Sequence, residues 1–257
     1  PIWSITETGV IHALAPGDFN GDGLLDVAVA VGTSLRFWFG QPFGPHQFAG
    51  SATLPVVVVS YNAAQYLLRV VDGDGDGIDD VLACGSTYGF TPTTHVQIYS
   101  GLGGKPTLTR SFQFSEPTPP MPAVGDVDGD FDDDVALFYA PSTGGGSPYV
   151  RLLRATPGVG LAAEPQTSGG PATALADYDG DGDLDGVCCG GGGLPGNQTT
   201  STFEIALNDG TGAFAAAFTF PGIGSAGIVG AFDLDADGDR DLIAGVCVYW
   251  NRGAVNG

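Results

Sequence analysis

The chain has 257 residues and a mass of 26.0 kDa, enough to bury a sizeable core without metals or disulfides. Its 43 Gly and 18 Pro are scattered rather than periodic, which excludes collagen and argues for many short strands joined by turns. A formal net charge of −21, from 29 acids and 8 bases, repels phosphate backbones and anionic membranes, so no nucleic-acid partner and no membrane insertion are expected.

Taken in chain order, Ile2–Thr6 reads as a strand with no home in the repeat that follows it. Ile11–Ala15 is next, then an acidic window beginning at Asp18 (DFNGDGLLD), a strand at Val27–Val31, and alternating segments at Ser34–Phe39 and Gln47–Leu54. The pattern returns with Leu67–Val71, a window at Asp72 (DGDGDGIDD) and Val81–Cys84. It returns again with Ala123–Val124 and a window at Asp126 (DVDGDFDDD). Ala174–Ala176 leads into a window at Asp177 (DYDGDGDLD), followed by Phe203–Leu207 and Phe214–Phe220. Ile228–Phe232, a window at Asp233 (DLDADGDRD), Leu242–Val246 and Val246–Trp250 end the series one strand short.

The five windows hold 24 of the 29 acids, so the bulk charge is a by-product of five local sites. They start 54, 54, 51 and 56 residues apart, and four short strands recurring at that period make the blade of a β-propeller. The expected fold is all-β: a single propeller domain over 1–257 with five four-stranded blades. The repeats run roughly over 10–55, 56–117, 118–170, 171–221 and 222–257, the last joined by 1–9. Ile2–Thr6 is expected to complete the last blade beside Val246–Trp250, leaving no orphan edge. The alternative is a fragment of a larger ring.

Within each window, Asp or Asn at positions one, three, five and nine puts hard oxygens on one side of a tight loop. A carbonyl at position seven adds another. Calcium takes about six to eight such oxygens in loose geometry, whereas magnesium keeps its waters and zinc seeks His or Cys. The candidate ligands of the first loop are Asp18, Asn20, Asp22, Leu24 and Asp26, and those of the second are Asp72, Asp74, Asp76, Ile78 and Asp80. The third has Asp126, Asp128, Asp130, Asp132 and Asp134, the fourth Asp177, Asp179, Asp181, Asp183 and Asp185. The fifth has Asp233, Asp235, Asp237, Asp239 and Asp241. Up to five structural Ca2+ ions follow. Position six is Gly in four loops but Phe131 in the third, so that loop is expected to bind its ion differently or more weakly, at a backbone cost of roughly 1–2 kcal/mol. An EF-hand is excluded, because position twelve is never Glu and the flanks read as strands.

These loops, their ninth-position Asp and their place between the first two strands of a blade resemble the FG-GAP/VCBS repeat, the family that includes the propeller head of integrin alpha subunits. Asn208-Asp209-Gly210-Thr211-Gly212-Ala213-Phe214 is similar to the family's turn between outer strands. The resemblance covers essentially the whole chain. It departs in blade count, since the family more often builds seven, so part of a seven-bladed ring is the alternative. It departs again at Phe131. The resemblance implies glycan or protein ligands, and an extracellular, secreted or cell-surface setting. Pro1 opens the chain without a signal peptide, so export is inferred rather than read.

Outside the windows the signals are weaker. Cys84, Cys188, Cys189 and Cys247 follow ion loops and read as buried thiols or one disulfide, with Cys188 and Cys189 too close for an ordinary bridge. His12, His46 and His95 do not cluster, and no nucleophile motif accompanies them. Trp3, Trp38 and Trp250 fit blade packing or, alternatively, a sugar-stacking platform. Asn197-Gln198-Thr199 is a glycosylation sequon. Long loops opposite the ion loops carry Tyr61, Asn62, Tyr88, Phe90 and Tyr149, the candidate ligand-binding residues. Together these point to a calcium-stabilised binding or adhesion module, a monomeric domain of a larger protein. The rivals are a carbohydrate-active lyase or hydrolase and a structural spacer. Only five acids lie outside the windows, which leaves few parts for an acid/base pair.

Overall fold

The computed structural model describes residues 7, 9–42, 48–55, 67–87, 93–101, 106–116, 120–139, 149–168, 174–190, 201–222, 228–244 and 247–252. Every element among them is a strand, so none could form a membrane-crossing helix. The fold is a five-bladed β-propeller with one antiparallel sheet per repeat.

The first sheet has β1 (Ile11–Gly17), β2 (Asp26–Val31), β3 (Ser34–Gly40) and β4 (Phe48–Pro55) in order. The second has β5 (Leu67–Val71), β6 (Asp80–Thr87), β7 (Thr93–Ser100) and β8 (Thr107–Phe114). In the third, β9 (Met121–Gly125), β10 (Asp134–Tyr139) and β11 (Tyr149–Arg154) are joined by the short β12 (Ala162–Ala163) and β13 (Thr167–Ser168). The fourth has β14 (Ala174–Ala176), β15 (Asp185–Gly190), β16 (Ser201–Asn208) and β17 (Phe214–Gly222). The fifth has β18 (Ile228–Phe232), β19 (Asp241–Ala244) and β20 (Cys247–Tyr249).

The second strand of a blade is covered on both faces, and its sequence shows why. β2 (DVAVAV), β6 (DVLACGST) and β10 (DVALFY) are continuous apolar runs opened by an Asp, and nearly every residue is buried. β8 (TLTRSFQF), at the edge of the second sheet, alternates polar with apolar and is largely exposed.

The chain forms two compact units. The first holds residues 1–119 and 155–162, the second residues 120–154 and 163–257. In the first, Ala15, Phe19, Ala28, Leu35 and Phe37 of one blade pack against Leu68, Val81, Ala83 and Tyr99 of the next. Phe19 stands edge-on to Phe37, with centroids 5.5 Å apart. In the second unit, Phe138 meets Phe214 edge-on at 5.5 Å and Phe203 meets Tyr249 at 5.2 Å. These rings sit in two blade-to-blade cores.

Two blades differ from the simple four-strand expectation. The third ends in two two-residue strands rather than one, and Ala155–Ala162 groups with the first unit. There Gly158 N donates to Asp74 O at 2.8 Å, and Arg110 Nη2 donates to Val159 O. The fifth has three strands among the described residues, and Ile2–Thr6, expected to complete it, lies outside them. Glu7 is described. Its carboxylate pairs with Arg36 and accepts from Trp38 Nε1 at 2.8 Å, so its side chain lies against β3.

Candidate metal centre

Each acidic window joins the first strand of a blade to the second, and its backbone folds around its own carboxylates. In the first loop, the amides of Gly21 and Asp22 donate to Asp18 Oδ1 at 2.8 and 3.1 Å, and Gly23 N donates to Oδ2 at 2.8 Å. The second and third loops repeat this pattern on Asp72 and Asp126. Asp177 and Asp233 accept the equivalent sixth-position amides at 3.0 and 3.2 Å. The fifth-position carboxylate accepts the seventh amide in every loop, at 2.8–3.0 Å from Leu24 to Asp239. The first- and fifth-position carboxylates are thereby held by the loop's own amides.

Tight folding of this kind requires two left-handed residues per loop. Position six has φ of 80° at Gly23 and Gly77, 72° at Phe131, and about 100° at Gly182 and Gly238. Position four is left-handed as well: Gly21, Gly75, Gly129, Gly180 and, in the fifth loop, Ala236 at φ 62°. The glycine at position six was read from sequence; the one at position four was not, although four of the five windows show it. Phe131 adopts the strained conformation with its ring 94% exposed, so no packing compensates it there.

The ninth-position Asp has a second role that its residue type did not reveal. Asp26, Asp80, Asp134, Asp185 and Asp241 are all essentially fully buried. Asp26 accepts Phe19 N at 3.0 Å on one oxygen and Gly40 N at 2.7 Å on the other, tying the loop to the end of β3. Asp185 does the same with Tyr178 N and Asn208 N, and Asp241 with Leu234 N and Asn251 N, all at 2.9 Å. Burial pushes Asp26 up to about 6 despite these amides, and Asp80 to about 7, with neighbouring loop carboxylates adding to the rise. Asp74 and Asp185 are raised for the same first reason, burial.

Carboxylate oxygens converge in four loops. Asp72, Asp74 and Asp76 form one group with one oxygen each, all within 4.8 Å of one another. Asp126, Asp128 and Asp134 form a second, Asp177, Asp179 and Asp185 a third, and Asp233, Asp235 and Asp241 a fourth. These groups could hold a metal ion. The donor set fits a hard divalent cation, being carboxylate oxygen throughout without nitrogen or sulfur. Two buried oxygens of the second loop, Asp74 Oδ1 and Asp80 Oδ1, have no hydrogen-bond partner, which fits a place able to take a cation. The first loop, with Asn20 at position three, brings one fewer charge to the equivalent places; Asn20 Nδ2 donates instead to Asp22 Oδ2 at 3.2 Å.

The candidate ligand-binding residues Tyr61, Asn62, Tyr88 and Phe90 lie outside the described residues, as does the sequon. Tyr149 is half-buried and stacks on Tyr139 with centroids 4.8 Å apart. Cys84 and Cys247 are free thiols, and burial pushes Cys84 up to about 12, which leaves it inert at neutral pH. A cavity of about 480 Å³ in the second unit is lined by Tyr178, Leu242, Tyr249, Trp250, Arg240 and Arg252, among others.

Residues 11–50, which span the first acidic loop and the strands β1 to β3, match the model of the FG-GAP repeat. No curated protein matches the chain. The resemblance read from the five windows thus rests on a family match to one repeat and on five sheets that each carry an acidic loop between their first two strands.

Proposed function

We propose that the acidic loops take up calcium and that the protein is a calcium-stabilised binding or adhesion module working outside the cell. The observation that carries this reading is the convergence of three carboxylate oxygens within 4.8 Å in each of four loops. Carboxylates about 4 Å apart repel by roughly 1 kcal/mol per pair in water and more at lower effective dielectric, so a loop that gathers them on purpose has a cation as its natural partner. Calcium at the millimolar levels of extracellular fluid suits loosely arranged oxygen ligands of this kind. Each proposed ligand comes from one loop of one blade, and every side-chain position is filled. The ion therefore supports the scaffold and leaves no open coordination position for chemistry.

Ligand recognition is assigned to the long loops at the far ends of the strands, with Tyr61, Asn62, Tyr88, Phe90 and Tyr149 as contact residues and a glycan or protein as ligand. Support comes from the FG-GAP match and from the general use of loops on a rigid scaffold for recognition. A glycan array probed in millimolar calcium and in EDTA tests it. Calcium-dependent retention on a defined glycan class is expected. No retention on any glycan, together with no capture by candidate protein ligands, would leave the spacer reading in its place.

A further inference from the structure

We propose that Arg154 is a built-in counter-ion of the third acidic loop: it lets that loop keep its shape without calcium and weakens its hold on the ion relative to the second loop. The proposal rests on the calcium reading above.

The argument begins with register. In the second blade Val81 pairs with Tyr99, so Asp80 faces Ser100; in the third, Val135 pairs with Leu153, so Asp134 faces Arg154. Ser100 and Arg154 therefore occupy the same place, at the end of the blade's third strand. Both reach the third-position carboxylate of their own loop by the same oxygen. Ser100 Oγ donates to Asp74 Oδ2 at 3.4 Å, and Arg154 Nη1 pairs with Asp128 Oδ2. In both loops the other oxygen, Asp74 Oδ1 or Asp128 Oδ1, is buried without a hydrogen-bond partner. The two clamps share a place in the blade and differ in charge. The equivalent residues of the remaining blades, by the same register, are Phe39, Leu207 and Trp250, none of them a cation.

Arg154 is held firmly. Its Nε donates to Glu164 Oε1 at 2.9 Å, and Nη2 donates to Thr211 O at 2.7 Å and to Glu164 Oε2 at 3.4 Å. Only about a quarter of the side chain is exposed. Its place is tight, since a Cβ on Gly212 would lie 3.0 Å from Nη2. A fixed guanidinium on Asp128 does two things. Without calcium it offsets the repulsion among Asp126, Asp128 and Asp134. With calcium it stands beside a divalent charge and opposes it. Ser100 orients Asp74 without either effect. Phe131 sits in this same loop, at the backbone position where the other loops place glycine.

Calcium itself is the probe. Calorimetric titration of the full chain should resolve sites of unequal affinity, with the third loop among the weak ones. Arg154→Ser, which installs the second blade's clamp, should tighten one site by about tenfold, the scale of a unit charge removed from a few ångströms away. Arg154→Lys, which keeps the charge, should leave that site weak. Adding Asp130→Asn to Arg154→Ser should abolish the gain and so place it in the third loop. Amide exchange on the unaltered protein gives a second readout that needs no variant. On chelation, Gly77 and Gly182 should lose protection while Phe131 keeps it. Unchanged calcium affinity in Arg154→Ser, or equal loss of protection in all three loops, overturns the role of Arg154 while leaving the calcium reading intact. A wild-type protein that takes up no calcium overturns both.

Discussion

Asp18 and Asp79 hold each other across two blades: Asp18 N donates to Asp79 Oδ2 at 2.7 Å, and Asp79 N donates back to Asp18 O at 3.2 Å. The pair joins the first position of one acidic loop to the eighth position of the next. By composition Asp79 is one more acid in a charged window, yet its carboxylate is committed to a backbone amide 61 residues away. The same contact leaves no room for a side chain on Gly17, whose Cβ would lie 2.8 Å from Asp79 Oδ2.

Removing that carboxylate should loosen the two loops together. Hydrogen bonds to a charged group contribute about 1.5–3 kcal/mol, so Asp79→Ala is expected to cost about 2 kcal/mol, and Asp79→Asn, which keeps an acceptor oxygen, distinctly less. Denaturant unfolding gives the energies, and hydrogen exchange at the Asp18 amide gives the location. A fully stable Asp79→Ala with Asp18 still protected would show the pair to be incidental.

A substitution that stabilises is expected at Phe131. Its left-handed backbone costs roughly 1–2 kcal/mol relative to glycine, and its ring is exposed, so truncation forfeits no packing. Glycine adds back about 0.5–1 kcal/mol of unfolded-state entropy. Phe131→Gly should therefore gain about 0.5–1 kcal/mol, seen as a higher melting temperature in calcium and in EDTA alike. Ala236→Gly, at the fourth position of the fifth loop, should gain a similar or smaller amount. A loss of stability in both variants would contradict the strain argument.

Asn208 and Asn251 form a repeated device in the second unit. Each lies two residues beyond the partner of the residue that follows the ninth-position Asp. Each gives its backbone N–H to that Asp and its side-chain amide to the second-position carbonyl of the preceding loop. Asn208 Nδ2 reaches Val127 O at 2.8 Å, and Asn251 Nδ2 reaches Tyr178 O at 3.0 Å. Asn208 Oδ1 also accepts Gly212 N at 2.9 Å, and the residue is almost fully buried. Gly101 takes this place in the second blade, where a Cβ would collide with Phe19 O. Asn208→Ala leaves a buried carbonyl and a buried amide unpaired and should cost about 2–4 kcal/mol. Asn251→Ala, less buried, should cost roughly half as much. Equal, negligible losses in thermal unfolding would refute the device.

The parts of this architecture that were legible in sequence are those encoded within about ten residues. The acidic windows, the apolar runs that follow them and the turn at Asn208–Phe214 recur as written. β3 begins at Ser34, β17 begins at Phe214 and β18 runs over Ile228–Phe232, each where the alternation placed it. What was not legible depends on register between strands. Asp79, Arg154 and Asn251 act on partners 61, 26 and 73 residues away, and nothing in their immediate surroundings distinguishes them from solvated polar residues. The buried role of Asp26, Asp185 and Asp241 was hidden for the same reason, because the second amide of each comes from the end of the third strand. The missed glycine at position four is different: the signal stood in four windows and only its φ gave it meaning.

Calcium and protons should oppose each other through the buried ninth-position carboxylates. Asp26 and Asp80 are raised from 3.8 to about 6 and about 7 by burial, so between those values the folded chain without metal binds protons that the unfolded chain does not. The associated stability is fully present below the unfolded value of 3.8 and is lost as pH rises through about 6 and then about 7. In EDTA, acidification from neutral pH towards 5 should therefore raise the melting temperature, helped by relief of the −21 net charge. Calcium reverses the sign, because it binds the ionised carboxylates and must displace their protons. At free calcium about a hundredfold above the dissociation constant, each ion adds roughly 2.7 kcal/mol, and that increment shrinks as the carboxylates protonate. The gap between melting curves in calcium and in EDTA should be widest above pH 7.5 and narrower at pH 5. Asp76→Ala, which removes an exposed ligand and the acceptor of the Ile78 amide, should narrow the gap at high pH and lower the EDTA curve by less than the calcium curve. Parallel curves across the whole range, or equal melting temperatures in EDTA and millimolar calcium at pH 8, would show that no metal is linked to these loops.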